Sequence, residues 1–335
     1  MTLPEVNRQI VLRQRPVGLL GDDDVELVES PLPQLQDGEA LLEVEYLGID
    51  ATVRTWLSQA EGYMPPVGFG EVVRSSGIGT VVASRCDTLP VGGPVYSLPG
   101  WQEYAVIRDD FLSTPLEPDA DKLGLIAIYG ATGLTAYIGL FDIGNVQPGE
   151  TVVVSAAAGA TGSLAAQIAK IHGCRVVGIC GSDEKASWLL DDLGLDGVVN
   201  YRTESVPERL RELCPDRIDV YFDNVGGEVL DAALGRLAQG GRVVLCGAIS
   251  IYTATQRPPG PRNYFQLINR RGRMQGFLSM DYWDRLPEVR AQLATWVAEG
   301  KLTWRTHLFQ GLAAAPDALN AMFEGTNIGK IVVKL

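Results

Sequence analysis

Histidine is almost missing from this chain. His172 and His307 are the only two among 335 residues, and none of the five cysteines is spaced as CxxC. A four-ligand zinc site is therefore hard to assemble. Cys86, Cys174, Cys180, Cys214 and Cys246 are odd in number, and three of them sit in apolar, strand-like runs. They read as small buried hydrophobes rather than a disulfide framework. Positive charge is scarce too: 28 basic residues face 41 acidic ones, for a net charge of −13. That argues against a nucleic-acid binder, which needs a basic footprint, but leaves room for a local phosphate pocket. No apolar run is expected to reach the roughly 18–20 residues of a membrane span. The opening MTLPEVNRQIVLRQRP lacks the apolar core and small-residue cleavage site of a signal peptide. The expected location is cytoplasmic. No solenoid-length repeat or low-complexity tract is present.

What is there divides in two. Up to about residue 125 the chain is rich in Pro, Gly and short alternating segments such as ALLEVEYLGI, GIGTVVAS and WQEYAVI. Short strands with frequent turns predict a barrel or sandwich-like domain. From about 126, apolar strands alternate with amphipathic helices: TVVVSA, CRVVGIC, GVVNY, IDVYFDNV and GRVVLCGAI, each separated by a helical stretch. Repeated βαβ units predict a parallel sheet covered on both faces. The tail LNAMFEGTNIGKIVVKL reads as a helix and a strand that returns to the first domain. The expected division is 1–127 with 306–335, and 128–305.

The stretch Ala157-Ala158-Gly159-Ala160-Thr161-Gly162 carries AxGxxG between a strand and a helix. The dinucleotide fingerprint is GxGxxG. Gly159 lets the backbone approach a pyrophosphate, Gly162 lets the helix pack on the sheet, and the helix start offers N–H groups to the phosphates. Alanine at the first glycine position departs from the pattern. The next strand ends Cys180-Gly181-Ser182, without the acid that would hold a ribose 2′-OH. Lys185, within one helical turn, can supply charge for a 2′-phosphate. Asp183 either caps the following helix or reads a 2′-OH. The balance favours NADPH over NADH.

These segments, together with FGEVVR (69–74), GWQEYAV (100–106), TGLTAYIGLFDIG (132–144), GCRVVGICGSDEK (173–185), YFDNVGGE (221–228), CGAISIY (246–252), PPGPRN (258–263), RMQGF (273–277) and NIGKIVVK (327–334), resemble a known family along nearly the whole chain. It is the zinc-independent medium-chain dehydrogenase/reductases, in the group of leukotriene hydroxydehydrogenase/prostaglandin reductase and the curcumin and alkenal double-bond reductases. The resemblance implies an α/β fold: a Rossmann doubly wound parallel-sheet domain plus a discontinuous GroES-like β-barrel domain. It implies NADPH along Ala158, Gly159, Ala160, Thr161, Gly162, Gly181 and Ser182. Lys185 and Tyr201 would sit at the 2′-phosphate. Thr135, Asn224, Cys246, Tyr252, Phe277 and Asn327 would lie near the rest of the cofactor. It also implies a homodimer joined through the cofactor domains.

The implied reaction is hydride transfer to the C=C bond of an α,β-unsaturated ketone or aldehyde, with donors to hold the enolate oxygen. Two substrate-side departures stand out. The group's tyrosine, eight residues before the RMQGF phenylalanine, is Asn269 here, which can donate a hydrogen bond but is no ordinary proton donor; the nearby Tyr264 is not in register. DPYMR is replaced by Asp50-Ala51-Thr52-Val53-Arg54. Arg54 is either an ion-pair partner or a substrate anchor. Asn269 and Tyr252 are the candidate catalytic groups. Arg54, Tyr63, Met64, Trp101 and Trp283 are candidates for the substrate pocket, though core packing explains the aromatics equally well. Alternatives are a ketone reductase or secondary-alcohol dehydrogenase, a quinone reductase, and an NADPH-binding protein without significant turnover.

Overall fold

The computed structural model describes residues 3–59, 62–256 and 258–335. The chain begins with an antiparallel ribbon, β1 (Val6–Leu12) and β2 (Val25–Pro31). Then come β3 (Glu39–Ile49), β4 (Ser76–Ser84), β5 (Pro94–Ser97), β6 (Tyr104–Arg108) and β7 (Thr114–Pro115). β3 is the spine. It pairs with β4 along one edge, and on the other its first half pairs with β6.

Six parallel strands follow: β8 (Thr151–Ser155), β9 (Arg175–Cys180), β10 (Gly197–Asn200), β11 (Ile218–Asp223), β12 (Leu237–Leu245) and β13 (Arg273–Gly276). Their order is β10-β9-β8-β11-β12-β13, so the chain reverses direction between β8 and β11. That is the doubly wound order whose switch point opens at the carboxyl ends of the first and fourth strands. TVVVS is buried at every position, as a central parallel strand covered on both faces requires.

β14 (Thr306–Gln310) and β15 (Lys330–Lys334) close the chain. They run parallel, joined by the helix Ala315–Glu324, which ends on Gly325 at φ 71°. A left-handed residue there suits glycine. β15 pairs antiparallel with the second half of β3.

Contacts divide the chain into Met1–Ile126 with Thr306–Leu335, and Ala127–Arg305. The first unit has its own core, in which Leu12, Leu42, Leu47, Leu57, Trp101 and Ile331 are fully buried. The second has another around Val153, Val177, Val199, Tyr221, Leu234 and Val243. One sequence expectation needs correction: Lys122–Ile143 is a helical run long and apolar enough to cross a membrane, although 72% of its apolar window is buried inside the fold. Its small and aliphatic residues are used for packing, as at Gly133, where a Cβ would lie 1.9 Å from the Ile128 carbonyl oxygen.

Candidate functional site

The carboxyl edge of the parallel sheet carries three groups of residues. At its centre, β8 ends in Ser155 and turns into the helix Ala160–Ile171. Ala156, the residue before the first-glycine position Ala157, takes φ 47° at the turn, in a region alanine rarely visits. Gly162 has no room for a side chain, since a Cβ would lie 2.2 Å from the Ala156 carbonyl oxygen. At Gly159, which precedes the helix, a Cβ would be 3.2 Å from that oxygen. Gly162 is thus required by the fold, whereas the bareness of Gly159 opens the turn to a ligand. The first N–H groups of the helix, from Ala160 on, have no intrahelical acceptor and favour an anion.

To one side lie the ends of β9 and β10. A Cβ on Gly181 would meet the Tyr201 hydroxyl at 2.8 Å and its ring at 2.9 Å, so the phenol rests against a bare glycine. The Tyr201 N–H donates to the Cys180 carbonyl at 3.0 Å. Ser182 caps the next helix by accepting from the Lys185 N–H at 3.2 Å. Desolvation pushes the Lys185 ammonium below the usual lysine value, and Arg202 nearby pushes the same way. Asp183 is engaged: Asn200 Nδ2 donates to its Oδ1 at 2.8 Å.

To the other side lie the ends of β11 and β12. Asp223 Oδ1 accepts from Ser155 Oγ, Tyr221 Oη and the Val225 and Gly226 N–H groups at 2.9–3.1 Å. Burial nevertheless wins and raises the Asp223 carboxyl above its ordinary value. Asn224 is clamped to β8: its N–H donates to Ser155 Oγ at 2.9 Å and its Nδ2 to the Ser155 carbonyl at 2.7 Å. The Cys246 N–H donates to the Asp223 carbonyl at 2.9 Å, and burial pushes its thiol up to about 12. Tyr252 sits on the short helix Ile249–Tyr252, where its hydroxyl accepts from the Ala248 N–H at 3.1 Å. Burial raises its pKa, so the phenol keeps its proton. Asp223, Cys246 and Tyr252 line a cavity of about 550 Å³ with Leu230 and Met274.

β9 and β12 are three strand spacings apart, roughly 14 Å at the usual 4.7–4.9 Å per step. The edge therefore presents a cation end, a glycine turn and an amide end in one row. That layout suits a two-headed ligand such as a dinucleotide, its pyrophosphate at the turn.

The structure brings together Ala158 to Gly162, Gly181, Ser182, Lys185 and Tyr201 on one side, and Asn224, Cys246 and Tyr252 on the other. Other expected site residues have local roles. Thr135 donates to the Ala131 carbonyl at 2.7 Å, a helix back-bond. Phe277 packs near Gly139, where a Cβ would lie 3.0 Å from its ring. Asn327, in the first unit, donates to the Gly329 carbonyl at 3.0 Å and is buried. Asn269 is exposed on the helix Gln266–Arg270, a position that lends its suggested catalytic part no support. Trp283 is half-buried in the 3₁₀ turn Ser279–Arg285.

Two substrate-side assignments are corrected. Trp101 is fully buried in the core of the first unit, so its ring packs there and lines no opening. Arg54 is also buried, and its guanidinium donates to the Gly18 carbonyl at 3.1 Å and the Pro16 carbonyl at 2.8 Å. Its donors clamp the loop after β1, and Asp24 lies near enough to favour its charge against the cost of burial. Met64 packs against the same core as Trp101. Tyr63 is exposed, with its hydroxyl 2.6 Å from Thr52 Oγ1 and its ring edge-on to Trp56. The phenol thus reaches the residue that replaces the expected aromatic.

Sequence reasoning missed Ser155, Asn200, Asp223 and Arg202. Each lies at or just beyond a strand end, which is the one signal that could have marked it. Among the described residues, no group of three or more His, Cys, Asp or Glu could hold a metal ion.

The fold and this edge define a dinucleotide-binding oxidoreductase architecture. Residues 8–114 match the model of an oxidoreductase N-terminal domain, and residues 160–295 match that of a zinc-binding dehydrogenase. The chain is 36% identical to the NADPH-dependent curcumin reductase of Escherichia coli, over 98% of this chain and 97% of that one. It is 38% identical to prostaglandin reductase 1 of Bos taurus, over 96% and 97%. The structure of CurA in complex with NADPH from Vibrio vulnificus matches with a TM-score of 0.93, at 41% identity over 98% of both chains. The chain belongs to the medium-chain dehydrogenase/reductase family, in the group of the curcumin and prostaglandin reductases.

Proposed function

We propose that this protein is an NADPH-dependent reductase that saturates the C=C bond of α,β-unsaturated ketones or aldehydes, without a catalytic zinc. The observation that carries the reading is the near full-length similarity to reductases of this type, joined to a carboxyl edge that fits the cofactor. The fit is specific: Gly159 leaves the turn bare, Lys185 is a desolvated cation past the second strand, and Asn200 holds Asp183. The cofactor would supply a hydride when bound. The chain's part is to hold it. Lys185 and Tyr201 take the 2′-phosphate, the helix start at Ala160 takes the pyrophosphate, and Asn224, fixed by Ser155, faces the nicotinamide end. Tyr252, kept protonated, can donate a hydrogen bond there.

A homodimer joined through the second unit belongs to the same reading. β13 is the edge strand of its sheet, and Tyr264, Phe265 and Ile268 in the preceding segment are exposed. Natural proteins seldom leave such an edge bare beside apolar surface. A cytoplasmic location is also proposed, supported by five free cysteines.

The test is NADPH oxidation with a panel of enones, with products identified by mass spectrometry. Saturated carbonyl products support the proposal. Allylic alcohols would instead make the enzyme a ketone reductase, and absence of oxidation by every enone would sink it. Light scattering of the purified protein reads the oligomeric state.

A further inference from the structure

The turn after β10 holds a second cation beside the Lys185 end of the site. Asn200, the last residue of β10, organises it. The Thr203 and Glu204 N–H groups donate to the Asn200 carbonyl at 3.1 and 2.9 Å, and the Arg202 N–H donates to Asn200 Oδ1 at 3.2 Å. The same carboxamide reaches Asp183 through Nδ2. One side chain therefore ties Arg202 to the start of the helix that carries Lys185. Tyr201, next in sequence to Arg202, is bonded to the end of β9 and rests on Gly181.

The charges have a direction. The Arg202 guanidinium lies close enough to Lys185 to depress its ammonium further. Two of the acids in this region are otherwise engaged. Asp183 is held by Asn200; Glu204 accepts from the Asn200 N–H at 2.7 Å and pairs with Arg209 at 2.8 Å. Glu184 partly offsets the effect on Lys185. Two like charges held side by side at a ligand edge are unfavourable alone and become favourable around a dianion. Arginine adds a planar fork of donors that lysine lacks.

We propose that Arg202 is the second cation of the 2′-phosphate cradle and, with Lys185 and Tyr201, sets the preference for NADPH over NADH. The inference rests on the NADPH reading above. Arg202 is exposed at this end of the sheet.

The experiment measures binding of 2′,5′-ADP, 5′-AMP, NADPH and NADH by calorimetry to the full-length wild type and to Arg202→Gln and Arg202→Lys. Wild type that binds 2′,5′-ADP no better than 5′-AMP would defeat the NADPH reading itself, before any variant is considered. Given that preference, Arg202→Gln is expected to weaken 2′,5′-ADP and NADPH about tenfold, the size of one lost charge-assisted contact. NADH and 5′-AMP should stay unchanged, and Arg202→Lys should recover part of the loss. Equal weakening of NADPH and NADH would make Arg202 a structural residue of the turn. Unchanged 2′,5′-ADP binding would remove it from the cradle. Either result overturns the proposal.

Discussion

Asn200 donates a hydrogen bond to Asp183 at 2.8 Å, joining the end of β10 to the first turn of the helix that follows β9. Asp183 is the acid that, read from sequence, could have served a ribose 2′-OH. With its carboxylate engaged, it is a poor partner for that hydroxyl. Asn200→Ala frees it. The NADPH-over-NADH preference should then fall several-fold, through weaker NADPH binding and stronger NADH binding. Unchanged KM values for both cofactors would show that Asp183 plays no part in selection.

Lys185 carries a pH signature. Burial lowers its pKa below the ordinary 10.5, so the charge that attracts the 2′-phosphate is lost at lower pH than for a surface lysine. KM for NADPH should therefore rise as pH increases through that lowered value, while KM for NADH stays flat. Bound phosphate favours the ammonium and moves the limb to higher pH in the complex. Lys185→Ala should remove the limb and weaken NADPH by about tenfold or more. A limb that persists in the variant belongs to another group.

The two glycines of the turn should fail differently. Gly162→Ala puts a Cβ 2.2 Å from the Ala156 carbonyl oxygen, a backbone atom that cannot step aside. Overpacking of this kind costs about 1–3 kcal/mol or more, read as a lower Tm. Gly159→Ala meets the same oxygen at 3.2 Å, a milder crowding that should lower Tm less, yet block the pyrophosphate and abolish NADPH binding. Equal loss of Tm in both variants would contradict the division of labour.

Trp101 and Arg54 should behave as structural residues. Trp101→Ala empties a fully buried site and should cost about 3–5 kcal/mol of stability. Arg54→Met removes donors from the Pro16 and Gly18 carbonyls and should cost about 1.5–3 kcal/mol. Chemical denaturation measures both. A loss of activity toward carboxylate-bearing enones in Arg54→Met, with unchanged stability, would restore its part as an anchor.

The alternation of apolar strands with helices was legible because a central parallel strand must be apolar on both faces, and TVVVS is. The glycine turn was legible because its chemistry is local in sequence. Lys185 was found the same way, a few residues past a strand end that lacked an acid. Trp101 was misplaced because an aromatic near a predicted loop looks the same in sequence whether it lines an opening or fills a core. Arg54 shows the same limit, since its partners are the carbonyls of Pro16 and Gly18, which leave no trace in side-chain pattern.

The sequence by itself thus determined the two-part architecture, the parallel sheet and the turn at Gly159, because these follow from periodicity and from the steric freedom of single residues. Tertiary structure alone decided which charges matter. Asn200 reaches Asp183 from 17 residues away, Ser155 holds Asn224 from 69, and Tyr201 settles on Gly181 from the neighbouring strand. Those relations arise because parallel strands distant in sequence end side by side, and a hydrogen bond or a desolvated charge depends on where the groups finally stand.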